Sequence, residues 1–388
     1  MKILALNQKY LTSKEISDCF PEHLRSDIEM LSFFSNLDGV QSISHLGLMP
    51  RASINNLPFD DSLIDVIGAR MPEYKPWFSE SWADVTDQRA LEIEKKVLAE
   101  NKQLIIQWSG GIDSTVMVVA VLKNFAKSSL EHVSIACNWG SVIENPLFFY
   151  RHIKDRLSTV DINDITQKIG ISGDYICVGG SAADMLHTSM APGLDQYMAI
   201  SDSDKFNWSW KKNPDYLIGY VEKVTKNDRF GRWYYEKTRE SIEHCELPVE
   251  NYFDFMWWSG FNYNWHAQLM LEWFHHHRNT GLDWNEHKER YHTWFQTTKY
   301  QQWAMSQCGK NTRFGKGIIS MKAIPKSYIF DYTKDSWYCK YKTKMNSAGR
   351  QGQIFSEKPF ALTDTFEVLY LEKDLERIRQ LLPGFILS

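Results

Sequence analysis

Leu104-Ile-Ile-Gln-Trp-Ser-Gly-Gly-Ile-Asp-Ser-Thr-Val-Met-Val-Val-Ala-Val-Leu122 is the segment from which the architecture can be read. Leu104 to Trp108 is a short β-branched and aromatic run of the kind that fills a buried strand. Val116 to Leu122, continued to Phe125, is long and apolar enough for a buried helix. Between them lies Ser109-Gly-Gly-Ile-Asp-Ser114. Two adjacent glycines let the backbone take positive φ and bring its N–H groups close to a ligand. Ser114 is expected as the helix N-cap, with the free N–H groups of the next turn forming an anion site. Ser109 and Ser114 add hydroxyls. Asp113 adds a carboxylate that repels a phosphate unless a cation stands between them. The combination predicts a polyphosphate with Mg²⁺, which binds through one or two carboxylates plus phosphate oxygens. The loop is not a Walker loop, which carries a Lys before its Ser or Thr and a wider glycine spacing.

Outward from this stretch, the helix over Thr86 to Glu100 is expected to turn Ala90, Ile93 and Val97 to one face. Val133 to Asn138 reads as the next strand, followed by a turn at Trp139 and a helix capped by Asn145 with Pro146 in its first turn. Strand, helix, strand, helix at this spacing is a parallel α/β sheet with right-handed crossovers. Ligands in such sheets bind beyond the carboxyl ends of the strands, here around Asn138 and Trp139. A second strand and glycine turn follows in Asp174-Tyr-Ile-Cys-Val-Gly-Gly-Ser-Ala-Ala-Asp184, where a helix is expected to start. Asp184 would be a second carboxylate facing Asp113 across the polyphosphate.

Ser-Gly-Gly-x-Asp-Ser between a strand and a helix resembles the PP-loop of the N-type ATP pyrophosphatases. That superfamily includes asparagine, GMP, NAD and argininosuccinate synthetases and several tRNA-modifying enzymes. The resemblance covers about residues 85 to 190. It implies cleavage of ATP between the α and β phosphates, adenylation of a substrate and release of pyrophosphate held by the loop. It also implies a Rossmann-like α/β fold of the HUP (adenine nucleotide alpha hydrolase-like) kind. The second turn is similar to the Ser-Gly-x-Gly-x-Asp-Glu signature of the asparagine-synthetase group. Gly180 and Asp184 match it, whereas Ala182 stands where Gly is usual and Met185 replaces the Glu. On this resemblance Ser109, Gly110, Gly111, Asp113, Ser114, Asn138, Gly180 and Asp184 bind nucleotide, and Asp113 and Asp184 hold Mg²⁺. Asp113, Lys322 and Lys326 act in catalysis, because late lysines in that group stabilise charge on the adenylated intermediate. The glutaminase domain of asparagine synthetases has an N-terminal Cys nucleophile. This chain begins Met1-Lys2 and the leading region is short, so built-in glutamine hydrolysis is not expected and ammonia would come from an external donor.

The sequence divides into an acidic leading region 1–85, the α/β domain 86–200, a helical aromatic-rich acceptor region 201–350 and a strand–helix tail 351–388. In the leading region, a strand over Ile3 to Leu6, a helix opened by Thr12-Ser-Lys-Glu15 and another opened by Pro21 are expected. Asn262 to Arg278 reads as a long helix. Its consecutive His275, His276 and His277 point in different directions and cannot share one ion. Residues 310 to 350 are strongly basic, with Lys340, Lys342 and Lys344 among them. This patch either closes over the active site or binds nucleic acid.

The chain has 388 residues, enough for two or three domains. Its 15 Trp, 18 Tyr and 21 Phe chiefly serve as core and pocket walls. A net charge of −4 supplies no global field toward nucleic acid or membrane. No run reaches the length of a spanning helix and no secretory signal opens the chain, so a cytoplasmic protein without membrane partners is expected. Six scattered cysteines without a Cys-x-x-Cys pair point to neither a disulfide framework nor a zinc site. Cys137 and Cys177 read as small buried strand residues. The expected function is an AMP- and pyrophosphate-forming ligase that activates a carboxylate or carbonyl for a nitrogen nucleophile. The acceptor, a small molecule or a nucleic acid, is left open. Alternatives are adenylation of a nucleobase in tRNA or DNA for modification or thiolation, and a nucleotide-binding module without turnover.

Overall fold

The computed structural model describes residues 5–7, 42–44, 51, 70–165, 173–187, 194, 198, 203–265, 269, 282, 284–306, 309, 322–336, 338, 360–362 and 368–370. The expected helices at Thr12 and Pro21, and the basic stretch except 322–336 and 338, lie outside these residues, as does nearly all of Asn262 to Arg278 beyond Trp265. The chain forms two compact units. One holds 82–180, 276–294 and 324–388; the other holds 1–81, 181–275 and 295–323.

The first unit is built on a five-stranded, all-parallel sheet. Helix α1 (Trp82–Ala99) leads in and buries Trp82, Val85, Thr86, Ala90, Ile93 and Val97. Their spacing follows one face of a helix, as expected, although the helix starts four residues before Thr86. Strand β1 (Gln103–Gln107) has its central residues fully buried. Helix α2 (Ile112–Asn124) buries every residue from Ser114 to Leu122. Its valines are poor helix formers in isolation, and burial on all sides overrides that preference. Strand β2 (Val133–Cys137) follows, then α3 (Trp139–Glu144), where local sequence suggests only a turn. Asn145 then caps the short Pro146–Phe148 segment, with its Oδ1 accepting from Phe148 N at 3.4 Å, and a π-helical turn Phe149–Ile153 continues it.

Strands β3 (Ser158–Asp161), β4 (Tyr175–Gly179) and β5 (Tyr291–Thr293) complete the sheet in the order β3-β2-β1-β4-β5. The chain enters at the centre, builds outward through β2 and β3, then crosses to β4 on the other side of β1. The strand order therefore reverses between β1 and β4, and in open parallel sheets such a reversal opens a crevice at the carboxyl ends of those two strands. Ile105 pairs with Ser134 of β2 and with Cys177 of β4, so the two glycine turns leave the sheet side by side. Ile105, Ala136, Ile165, Cys177, Leu282 and Tyr291 form a buried cluster on the sheet. Cys137 and Cys177 are buried strand residues, and burial pushes the Cys137 thiol up to about 12, which suits a packing role.

The second unit is helical among its described residues apart from a short strand pair, Ala5–Asn7 with Ser42–Ser44. Its main elements are α4 (Pro214–Thr225), α5 (Asp228–Ile242) and α6 (Tyr252–Ser259). Trp257, Trp258, Trp265, Trp303 and Tyr234 are buried within it, so the aromatic load is spent largely on core. Arg51 is buried here too, donating to the carbonyls of Arg70 and Phe261 and to Gln301 Oε1, with its guanidinium 4.9 Å from the rings of Phe261 and Trp265. Among the described residues, no helix is long and apolar enough to cross a membrane.

Candidate nucleotide site at the switch of the sheet

Trp108 sets the direction of the loop. Its backbone N–H continues the pairing with Ala136 O at 2.8 Å, while its indole Nε1 donates to Thr115 Oγ1 on α2 at 3.1 Å. The ring stacks on Phe149 at 6.1 Å. The chain therefore leaves β1 already clamped against the helix it is about to enter.

Ser109 and Ser114 then close the loop on itself. Ser109 N donates to Ser114 Oγ at 3.1 Å, and Ser114 Oγ donates to Gly111 O at 3.1 Å. That commits the Ser114 proton, so Ser109 supplies the hydrogen in the 3.1 Å contact between the two hydroxyls. Gly111 N in turn donates to Ser109 Oγ at 3.3 Å. The two serines thus shape the loop through each other. The expected cap is corrected here: α2 starts at Ile112 with Gly111 as N-cap, and Ser114 sits inside the first turn. No side chain caps this helix, so its first turn presents backbone N–H groups and the positive end of the helix dipole.

Gly110 is the sterically compelled residue. Its φ is +76°, and a Cβ there would lie 2.3 Å from Ser141 O and 2.8 Å from Glu144 Cβ. Helix α3 therefore presses its backbone directly onto the loop. Asn138 is what sets α3 in place: its side chain accepts from Ser141 N at 3.0 Å and Ser141 Oγ accepts from Asn138 N, a reciprocal capping box. Asn138 does lie at the carboxyl end of β2, but its side-chain oxygen is engaged in capping. The neighbouring Trp139 buries its Nε1 without a hydrogen-bond partner among the described residues.

Gly180, just beyond β4, lies against the first turn of α2. A Cβ on it would stand 3.7 Å from Ser114 N and 3.8 Å from Asp113 Cβ, an ordinary contact distance. The glycine of the second motif therefore meets the first motif within one unit. Gly179 has a different duty, because a Cβ there would fall 1.9 Å from Tyr291 Oη, which donates to Gln107 Oε1 at 3.2 Å.

Asp184 and Lys322 belong to the other unit, where they pair at 2.5 Å with the Lys322 side chain only 15% exposed. Asp184 opens a 3-10 turn, Asp184–Leu186, and not the α-helix expected from its motif. Both partners adjoin left-handed backbone, with φ +69° at Ala182 and +57° at Lys322 itself. Lys326 is in the helix Ala323–Thr333, two residues before Tyr328. Tyr328 Oη donates to Asp87 Oδ1, and Asp87 also holds Lys123 and Asn124. This anchorage is at the end of α2 opposite the loop.

One residue of the loop's surroundings carries no motif of its own. Glu144, the last residue of α3, is 5% exposed and backs both glycines, its Oε1 3.9 Å from where a Gly111 Cβ would stand. Asn138 and Ser141 carry the capping pattern that announces α3, and that pattern is the sequence signal leading to Glu144. Two carboxylates, Asp113 and Glu144, flank a helix terminus that no side chain caps, and a phosphate there would bring a cation with it to balance the charge. Among the described residues no group of three or more metal-ligating side chains occurs. Mg²⁺ suits such a setting, since it takes hard oxygen ligands and draws most of them from phosphate and water.

Comparison of the chain with protein families, with curated proteins and with solved structures gave no match.

Proposed function

We propose that this chain is an ATP pyrophosphatase of the PP-loop kind, with a Rossmann-like sheet unit that binds Mg²⁺–ATP at Ser109–Ser114. The observation that carries the reading is Gly110: a left-handed glycine packed against α3, at the uncapped start of a buried helix, where the strand order reverses. A glycine held this tightly keeps backbone donors at the surface of the turn, which is what a phosphate needs.

In the proposed reaction a carboxylate or carbonyl oxygen of the acceptor attacks the α-phosphorus of ATP. The bond to the β-phosphate breaks and pyrophosphate leaves. A nitrogen nucleophile then displaces AMP from the activated acceptor. The first-turn N–H groups of α2 orient the β and γ phosphates and stabilise the charge that grows on them. Asp113 holds the metal side of the nucleotide, and bound Mg²⁺ would supply charge neutralisation.

ATP–pyrophosphate exchange with Mg²⁺ and a broad pool of acceptors tests the reading. Wild-type protein should show exchange and form AMP. Asp113→Ala should lose pyrophosphate release by at least about a hundredfold while its circular dichroism stays unchanged. ATP binding without exchange or AMP would leave only a nucleotide-binding module, and full activity in Asp113→Ala would remove the site assignment.

A further inference from the structure

The segment Lys205 to Tyr216 in the helical unit carries no sequence motif, yet it presents an ordered aromatic surface. Trp208 is 39% exposed, which is unusual in a unit that buries most of its tryptophans. Its ring lies 5.5 Å from Tyr216, and Tyr216 stacks on Tyr252 at 5.9 Å with the planes 9° apart. The backbone under this platform is pinned. Tyr252 N donates to Trp208 O at 3.0 Å, Ser209 bridges Asn251, and Tyr252 Oη donates to Asn213 O at 2.6 Å. Trp210 anchors the same loop inward, with Nε1 donating to Val249 O at 2.9 Å. An exposed indole on such a support is pre-organised, so little ordering opposes a flat group that stacks on it.

Cations surround these rings. Lys205 Nζ stands 4.6 Å from the Tyr216 ring and 5.8 Å from Trp208, and Lys211 Nζ stands 5.3 Å from Trp210. Lys211 and Lys212 are exposed. We infer that Trp208 and Tyr216, with Lys205, Lys211 and Lys212, form a stacking surface for single-stranded nucleic acid. Stacking platforms flanked by cations bind a base through its face and the adjoining phosphates through charge. A membrane surface fits less well, because Trp208 and Trp77, far apart in the chain, are the two exposed large apolar residues among those described in this unit. Three lysines against Asp204 and Asp215 leave one net positive charge between 203 and 216, so stacking carries more of the affinity than charge does. This surface does not depend on the ATP site.

The test is fluorescence anisotropy of a labelled twelve-residue oligouridine and its DNA counterpart at low and moderate salt. Wild-type protein should bind saturably, with a salt slope no steeper than about −2 for three phosphate contacts. Trp208→Ala should weaken binding roughly tenfold or more, and Trp208→Phe should restore most of it. Lys211→Glu combined with Lys212→Glu should reduce the slope by about 1.4. Absence of binding by the wild type would overturn the inference. So would an RNA complex untouched by Trp208→Ala, which places binding elsewhere, for example on the basic stretch 310–350. Trp208-dependent adherence to phosphatidylserine vesicles without RNA binding would likewise overturn it in favour of a lipid surface.

Discussion

Ser109-Gly-Gly-Ile-Asp113 and Gly179-Gly-Ser-Ala-Ala-Asp184 come after neighbouring strands with the same local grammar, glycines and then an aspartate, yet they fold into different things. The first turn runs into a 13-residue helix. The second runs into a three-residue 3-10 turn. The chain beyond each turn makes the difference. Val116 to Leu122 is an apolar run that can be buried on all sides, whereas Met185-Leu186-His187 gives way to Thr188-Ser189 and soon to Pro192-Gly193. The first turn uses a glycine for its left-handed residue; the second uses Ala182, at a cost of about 1–2 kcal/mol. The first carboxylate stands beside the N-terminus of its helix, while the second is paired with a lysine from far along the chain. A glycine turn thus announces where a strand ends, but the later residues decide what its aspartate can do.

Four measurements probe this contrast. The largest effect belongs to Gly110→Ala, which adds left-handed strain to an overlap with the Ser141 carbonyl. We expect a loss of at least about 3 kcal/mol in urea unfolding, and a loss under about 1 kcal/mol would mean the turn is not held as described.

Acid should act beside the second turn. His292 of β5 pairs with Val178, one residue before Gly179. Burial first, and then Arg89 and Lys96, hold its pKa down at about 4, against an ordinary value of 6.5. The folded chain therefore keeps His292 neutral while the unfolded chain takes up a proton near pH 6.5. Its contribution is complete above pH 6.5, falls as the pH drops, and is gone below about 4. The total is at most about 3 kcal/mol. His292→Gln should flatten stability between pH 6.5 and 4. An unchanged slope would assign that window to other groups.

Gly180→Ala separates ligand binding from folding. Its added methyl makes only ordinary contacts, so stability should change by less than about 1 kcal/mol. The methyl covers Ser114 N, however, and ATP affinity by calorimetry should fall roughly tenfold. Unaltered affinity would move the phosphate away from this turn. The smallest effect is a gain. Ala182→Gly relieves the left-handed strain but frees the unfolded chain, for a net stabilisation of about 0.5 kcal/mol and a small rise in Tm. Destabilisation would show that the Ala182 methyl packs well enough to outweigh its backbone.

The loop Ser109–Ser114 is the most legible part of the molecule. Strand β1, the two glycines and the buried helix α2 lie close together in the chain, and each follows from local pattern. The N-cap lies at Gly111 and not at Ser114, because the Ser114 hydroxyl turns back to Gly111 O and Ser109 instead of opening the helix. Helix α3 looks like a turn in sequence because the six residues Trp139–Glu144 are too few to show a period. Glu144 is hidden with it.

Local pattern alone establishes the parallel α/β character, the amphipathic face of α1, the strands β1, β2 and β4, and the buried place of Cys137 and Cys177. These rest on periodicity, side-chain volume and turn chemistry, which act over a few residues. The remaining features come from long-range packing. Ser158-Thr-Val-Asp161 has no apolar pattern and becomes a strand because β2 offers it an edge. Tyr291–Thr293 becomes one because β4 does, although it lies far beyond β4 in the chain. The meeting of Gly180 with Asp113, and of Asp184 with Lys322, arises in the same way. Backbone hydrogen bonds and ion pairs between distant segments leave no local signature, because neither partner carries the pattern alone.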